Sequence, residues 1–313
     1  MVLSGAAADG AVLVAVLGPH WRARLEAGGP ESDEARSRLR YLAEALGGAG
    51  AADWDGGGLS PSLIAEAASE IMAAHDRGVP AARMAARRQM VLSRAAARVA
   101  AAARPAPATL RSDTPRARVA EHGCTLTHDG FFQTRAYELR HPRFDGTQSP
   151  QLAREVFVAT DAALVLPYDP RRDRVLLVEQ FRMGPYGRGD PLPWMLEPIA
   201  GRIDAGEAPE DTARRETLEE AGLELTALER ISRHYCTPGY STEFFHLFLG
   251  LCDLPDTRQG SGGLATENED IRTHVIGFDR AMELVTSGEA NNGPLVLALL
   301  WLARERARLR ASG

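Results

Sequence analysis

The stretch Gly201–Leu223 reads GRIDAGEAPEDTARRETLEEAGL. It sets Glu216, Glu219 and Glu220 at i, i+3 and i+4, so a helix would carry all three carboxylates on one face. Like charges at that spacing repel, and Gly222 follows as a stop signal. The acids therefore fall at the negative end of the helix dipole, where anions are disfavoured. Pro209, Glu210 and Asp211 suit the helix start and read as structural. A cluster that weakens its own helix needs another reason, and hard divalent cations supply one. Magnesium and manganese take oxygen ligands, commonly a few carboxylates plus substrate phosphates. Glu207, beside Gly201 and Gly206 in the preceding loop, can converge on the same point. Arg215 adjoins the cluster and is expected to orient it by ion pairing. The competing reading is a solvated acidic helix; spacing alone leaves both open.

Working outward, strand signals surround the stretch. FFQTRAYELRH alternates as a half-buried strand does, and REVFVATDAALVLPYD and DRVLLVEQFR are rich in Val and Leu around a turn at PYDPRRD. FFHLFLGLCD and RTHVIGF follow as strands, then a closing amphipathic helix, GPLVLALLWLARERARLR. Strands and helices in this order predict an α/β or α+β sandwich. The first hundred residues differ, being rich in Ala, Arg and Gly. Ser60 and Pro61 predict an N-cap and first helical position, with Leu63, Ile64, Ala67, Ile71 and Met72 as the apolar stripe. Further helical stretches are expected at DEARSRLRYLAEALGG and RMAARRQMVLSRAAARVAAAAR. Arg87, Arg88 and Arg94 are expected to form a solvated face rather than a site for an acidic partner. Pro105, Pro107 and Pro115 mark a linker, giving a helical extension at 1–102, a linker at 103–117 and a second domain at 118–313.

The chain has 313 residues, room for two domains, and a net charge of -6, which offers no basic field for nucleic acid. Cys124, Cys236 and Cys252 form no CxxC pair, so neither a zinc site nor a disulfide framework is expected, and a reducing, cytoplasmic setting is. Ala11–Gly18 is too short to span a membrane and lacks a basic flank, so no membrane partner is expected. No GxSxG is present to suggest covalent catalysis.

The opening stretch resembles the Nudix box, G-x5-E-x7-R-E-U-x-E-E-x-G-U with U a bulky aliphatic. Gly201, Glu207, Arg215, Glu216, Glu219, Glu220, Gly222 and Leu223 match, and Thr217 departs at the first U, with slightly poorer packing expected. VLLVEQFR and EPIAGRID before the box, Pro238 in YCTPGYSTE, GLATENEDIRTHVI and NGPLVLALLWL are similar to the ADP-ribose pyrophosphatase branch. The resemblance implies an α/β/α sandwich with a mixed sheet, preceded here by the helical region, and often a homodimer with exchanged N-terminal strands. It implies Mg2+, or Mn2+ in its place, on the Ala200 carbonyl, Glu216, Glu220 and Glu269, with Glu207 supporting. It implies Glu219 as a further or outer ligand, Glu267 as general base and Arg182 on the diphosphate; Glu243 is a rival base. Gly201, Gly222 and Arg215 would support the site. The activity implied is hydrolysis of ADP-ribose to AMP and ribose 5-phosphate. Hydrolysis of another nucleoside diphosphate-linked sugar or alcohol, or ADP-ribose sensing without catalysis, are the alternatives. Residues 32–103 resemble the later part of a γ-glutamylcyclotransferase-like domain, truncated if so; a plain helical appendage is the competing expectation.

Overall fold

The computed structural model describes residues 5–26, 28–48, 54–103, 106–255, 260–262 and 270–312. It divides into two compact units, Met1–Ala159 with Asp204–Gly206, and Thr160–Ile203 with Glu207–Gly313.

The first unit holds α1 (Gly10–Leu17), α2 (Trp21–Glu26), α3 (Gly29–Ala45), α4 (Pro61–Asp76), α5 (Ala81–Ala85) and α6 (Arg88–Ala103). An antiparallel sheet follows in the order β1 (Ala120–Asp129), β2 (Gln133–Arg140), β3 (Leu152–Val158). Ser60 caps α4 by accepting the Leu63 amide at 3.3 Å, and Pro61 takes the first turn. The expected stripe of Leu63, Ile64, Ala67, Ile71 and Met72 is buried in one core with Val12, Leu42 and Leu92. Each such Leu or Ile contributes about 1.5–3 kcal/mol on burial.

One expectation needs correction and one strand went unread. The basic stripe is not a solvated face, because Arg94 is buried and clamps Glu70 through Nε at 3.1 Å and Nη2 at 2.5 Å. Gln133 Nε2 donates to the same Glu70 at 3.0 Å, and Arg87 pairs with Asp129 at 3.3 Å. Arg94 and Arg87 face acids brought from elsewhere in the chain, which helical spacing cannot reveal. β1 went unread because its residues are mostly exposed and lack the alternation that marks a half-buried strand.

The second unit is built on one mixed sheet. Its elements are β4 (Asp161–Asp169), β5 (Arg174–Phe181), α7 (Met183–Arg188), β6 (Trp194–Glu197), β7 (Ile199–Arg202) and α8 (Pro209–Ala221). β8 (Ala227–Tyr235), β9 (Phe244–Leu251), β10 (Gly260–Gly262), β11 (Ile271–Gly277), α9 (Phe278–Ser287) and α10 (Gly293–Ser312) complete it. The strand order is β10-β11-β5-β4-β9-β8, with β6 paired to β5 and β7 to β4. Only the β4–β9 pairing is parallel among the described strands. Leu164, Leu166, Leu177, Leu247 and Leu249 pack on one face with Phe278 and Leu284 of α9 and Leu295 and Leu299 of α10. Ala163, Val165, Leu176, Val178 and Phe248 pack on the other with Ala213 of α8, Leu223 and Leu225. Both faces are covered, which is why β4 and β5 read as continuous apolar runs. The result is an α/β/α sandwich that presents α8 on one side.

Candidate functional site

The acid-rich stretch begins on β7 and ends on α8. Ala200 and Gly201 are held in the sheet opposite Leu164 and Ala163. Pro209 opens α8 with Glu210 and Asp211 in its first turn, and Gly222 closes it with φ 60°. That left-handed turn lets the Gly222 amide donate to the Leu218 carbonyl at 2.9 Å and the Leu223 amide to Thr217 at 3.3 Å. The departure at Thr217 has a local account. Its side chain is fully buried, and its hydroxyl donates to the Ala213 carbonyl at 2.6 Å, so no polar atom is stranded.

The carboxylates gather around this frame. Glu220 is only 2% exposed. Glu216 lies directly on the backbone of β7, where a methyl group at Gly201 would sit 1.9 Å from its carboxyl carbon. Glycine is therefore required by close approach. Arg215 binds the cluster together. Its Nε donates to Glu207 Oε1 at 3.0 Å and its Nη2 to Glu207 Oε2 at 3.1 Å. Its Nη1 donates to Glu216 Oε1 at 2.7 Å and to Glu219 Oε2 at 3.0 Å. The hydrogen bond to Glu207, and then the Glu216 charge, raise the Arg215 pKa, so the guanidinium stays cationic.

One guanidinium brings a single positive charge to Glu207, Glu216 and Glu219, with buried Glu220 next in line. As they stand, no three Asp, Glu, His or Cys among the described residues are grouped closely enough to hold a metal ion. The donor chemistry nonetheless fits a hard cation: carboxylates on one helix, one of them buried, facing a strand stripped of side chain at Gly201.

Arg182 follows β5, and its Nε donates to Glu197 Oε2 at 2.7 Å. Glu197 pairs across the strands with Val178, which packs in the core shared with Ala213 of α8, so Glu197 lies on the α8 side of the sheet. Burial pushes the Glu197 carboxyl up, and the Arg182 charge pulls against it. Sequence reading missed Glu197; its one signal is the EPIAG run leading into the box. Glu243 stands before β9, with its amide donating to Ser241 Oγ at 3.1 Å. Glu267 and Glu269 lie outside the described residues.

An α/β/α sandwich with its acid-bearing helix pressed on Gly201 is what the resemblance to the Nudix box implies. A family profile described as NUDIX domain matches residues 158–296, and the chain belongs to the Nudix family. It is 41% identical over 181 residues to the ADP-ribose pyrophosphatase of Escherichia coli (strain K12), covering 58% of this chain and 86% of that one. It is 39% identical over 187 residues to the ADP-ribose pyrophosphatase of Haemophilus influenzae, covering 59% and 86%. The GDP-mannose pyrophosphatase of Salmonella paratyphi B is 33% identical over 182 residues, covering 57% and 94%. Among solved structures, an ADP compounds hydrolase matches with a TM-score of 0.50 and 18% identity, over 64% of this chain and all of that one, a likeness of fold alone.

Proposed function

We propose that the protein hydrolyses the diphosphate bond of ADP-ribose to AMP and ribose 5-phosphate. The observation that carries this is the set of Glu207, Glu216, Glu219 and Glu220 assembled on α8 and its loop, in a chain 41% identical to a curated ADP-ribose pyrophosphatase. Bound Mg2+, or Mn2+ in its place, would supply neutralisation of the diphosphate and acidification of water. The Ala200 carbonyl, Glu216, Glu220 and Glu269 would hold it, with the outer acids Glu219 and Glu207 in support. Arg215 keeps Glu207, Glu216 and Glu219 on one side of the helix. Arg182 would bind the diphosphate, and Glu267 would accept the proton of the attacking water, which requires only hydrogen-bond reach. A homodimer is part of the proposal.

The second reading is the same hydrolysis on another nucleoside diphosphate sugar, favoured by the 33% identity to a GDP-mannose pyrophosphatase. A sensing role without catalysis would not need the full set of acids. The test is purified protein with a panel of nucleoside diphosphate derivatives, with and without magnesium. AMP and ribose 5-phosphate released from ADP-ribose only with the metal is the expected result. Faster turnover of GDP-mannose would move the reading to the second, and no turnover of any compound would overturn it.

A further inference from the structure

Arg182 and Glu197 are placed by the sheet itself. β5 and β6 pair antiparallel from Val178↔Glu197 to Phe181↔Trp194, and Arg182 is the next residue after β5. Its amide donates to the Pro193 carbonyl at 3.0 Å, which extends the pairing and fixes the backbone beneath the guanidinium. At the other end, Glu197 closes β6, and after Pro198 the chain transfers to β4 as β7. Proline has no N–H to give to a ladder, which suits the change of partner. Glu197 thus stands at the joint between the strand that aligns with Arg182 and the strand that carries Ala200 and Gly201.

The geometry of the pair is directional. Glu197 takes the Arg182 Nε–H at 2.7 Å, while the two Nη groups have no partner among the described residues. The Glu197 side chain is 17% exposed and that of Arg182 40% exposed, so the pair has a sheltered acid and an accessible guanidinium. An arginine reads phosphate through two parallel N–H groups in a planar fork, and fixing Nε orients that plane.

We propose that Glu197 is a positioning residue for Arg182, holding Nε so that both Nη groups are presented to the diphosphate of the substrate. This rests on the proposed diphosphatase reading. It adds a specific role for an acid outside the acid-rich helix, one that acts through Arg182 and not on a cation. Burial raises the Glu197 pKa, and the charge and hydrogen bond of Arg182 act against it. Removing Glu197 leaves Arg182 free to rotate and adds an ordering cost to substrate binding.

The test uses the full chain with magnesium and two readouts. One is steady-state KM and kcat for ADP-ribose. The other is calorimetric Kd for α,β-methylene ADP-ribose, which cannot be hydrolysed. Glu197→Ala should raise KM and Kd about tenfold, within the range of a charged hydrogen bond, with kcat changed by less than about threefold. Glu197→Gln, which keeps an acceptor for Nε, should recover most of that loss. Arg182→Ala should be at least as severe, and adding Glu197→Ala to it should cost nothing more. Losses that add in the double variant, or a Glu197→Ala effect on kcat alone, would overturn the proposal. If the wild type binds the analogue but releases no AMP, the diphosphatase reading fails while the Kd series still judges Glu197. If the wild type does not bind the analogue, both fall.

Discussion

Two arginine–glutamate clusters, one in each unit, use the same chemistry to opposite ends. In the first unit Arg94 and Glu70 are both buried, and each charge meets a partner of opposite sign, with Gln133 filling a further acceptor position. In the second, Arg215 lies among Glu207, Glu216 and Glu219 and is about one-third exposed. The first is buried, with Arg135 a second arginine 3.7 Å from the Glu70 carboxylate, and its worth is structural. The second sets one guanidinium among three carboxylates, an arrangement that suits the binding of a cation. Burial of both partners marks a lock, whereas several carboxylates gathered around one partly exposed arginine mark a site.

The largest effect expected is on the lock. Glu70→Ala leaves the Arg94 charge buried without its partner and should cost about 3–5 kcal/mol. Urea unfolding of the full chain measures it, and hydrolytic activity under native conditions should be retained. A loss below about 1 kcal/mol would place the Arg94 pair with ordinary surface pairs. On the other side of the comparison, Glu216→Gln should reduce turnover of ADP-ribose by about a hundredfold or more. Its unfolding midpoint without metal should change little. A variant that unfolds far more easily yet turns over normally would reverse the two assignments.

Asp169 sharpens the contrast within the second unit, because it is an acid that is fully buried and plainly structural. Burial acts to raise its pKa but is outweighed by the amides of Leu254, Arg172 and Arg171 and by the Arg172 guanidinium, so the carboxyl stays below its ordinary value. A lowered folded pKa gives stability that is present above the unfolded value near about 4 and is lost as pH falls through the folded one. Asp169→Asn should therefore cost about 1–3 kcal/mol at pH 7 and less at low pH. Urea midpoints at pH 7 and pH 3 test this; an equal loss at both would show that the charge of Asp169 is not what matters.

The same contrast explains what could be read from the sequence. α8, its start at Pro209, its stop at Gly222 and the acids between them are encoded within one short stretch, and so were legible. The apolar runs of β4 and β5 were equally local. The role of Arg94 was not, since its partners Glu70 and Gln133 come from other elements and a helical pattern shows only that an arginine is present. Glu197 escaped for the same reason: its meaning depends on a strand pairing that brings it to Arg182. β1 escaped because neither of its faces is buried enough to impose a pattern.

The smallest and most direct effect is cation binding itself. Calorimetric titration of manganese into the wild type and into Glu220→Gln asks whether this group of carboxylates is a cation site. The account predicts saturable binding by the wild type and an affinity at least about tenfold weaker in the variant, with the fold unchanged. Equal affinity in the two proteins, or no binding by the wild type, would contradict it.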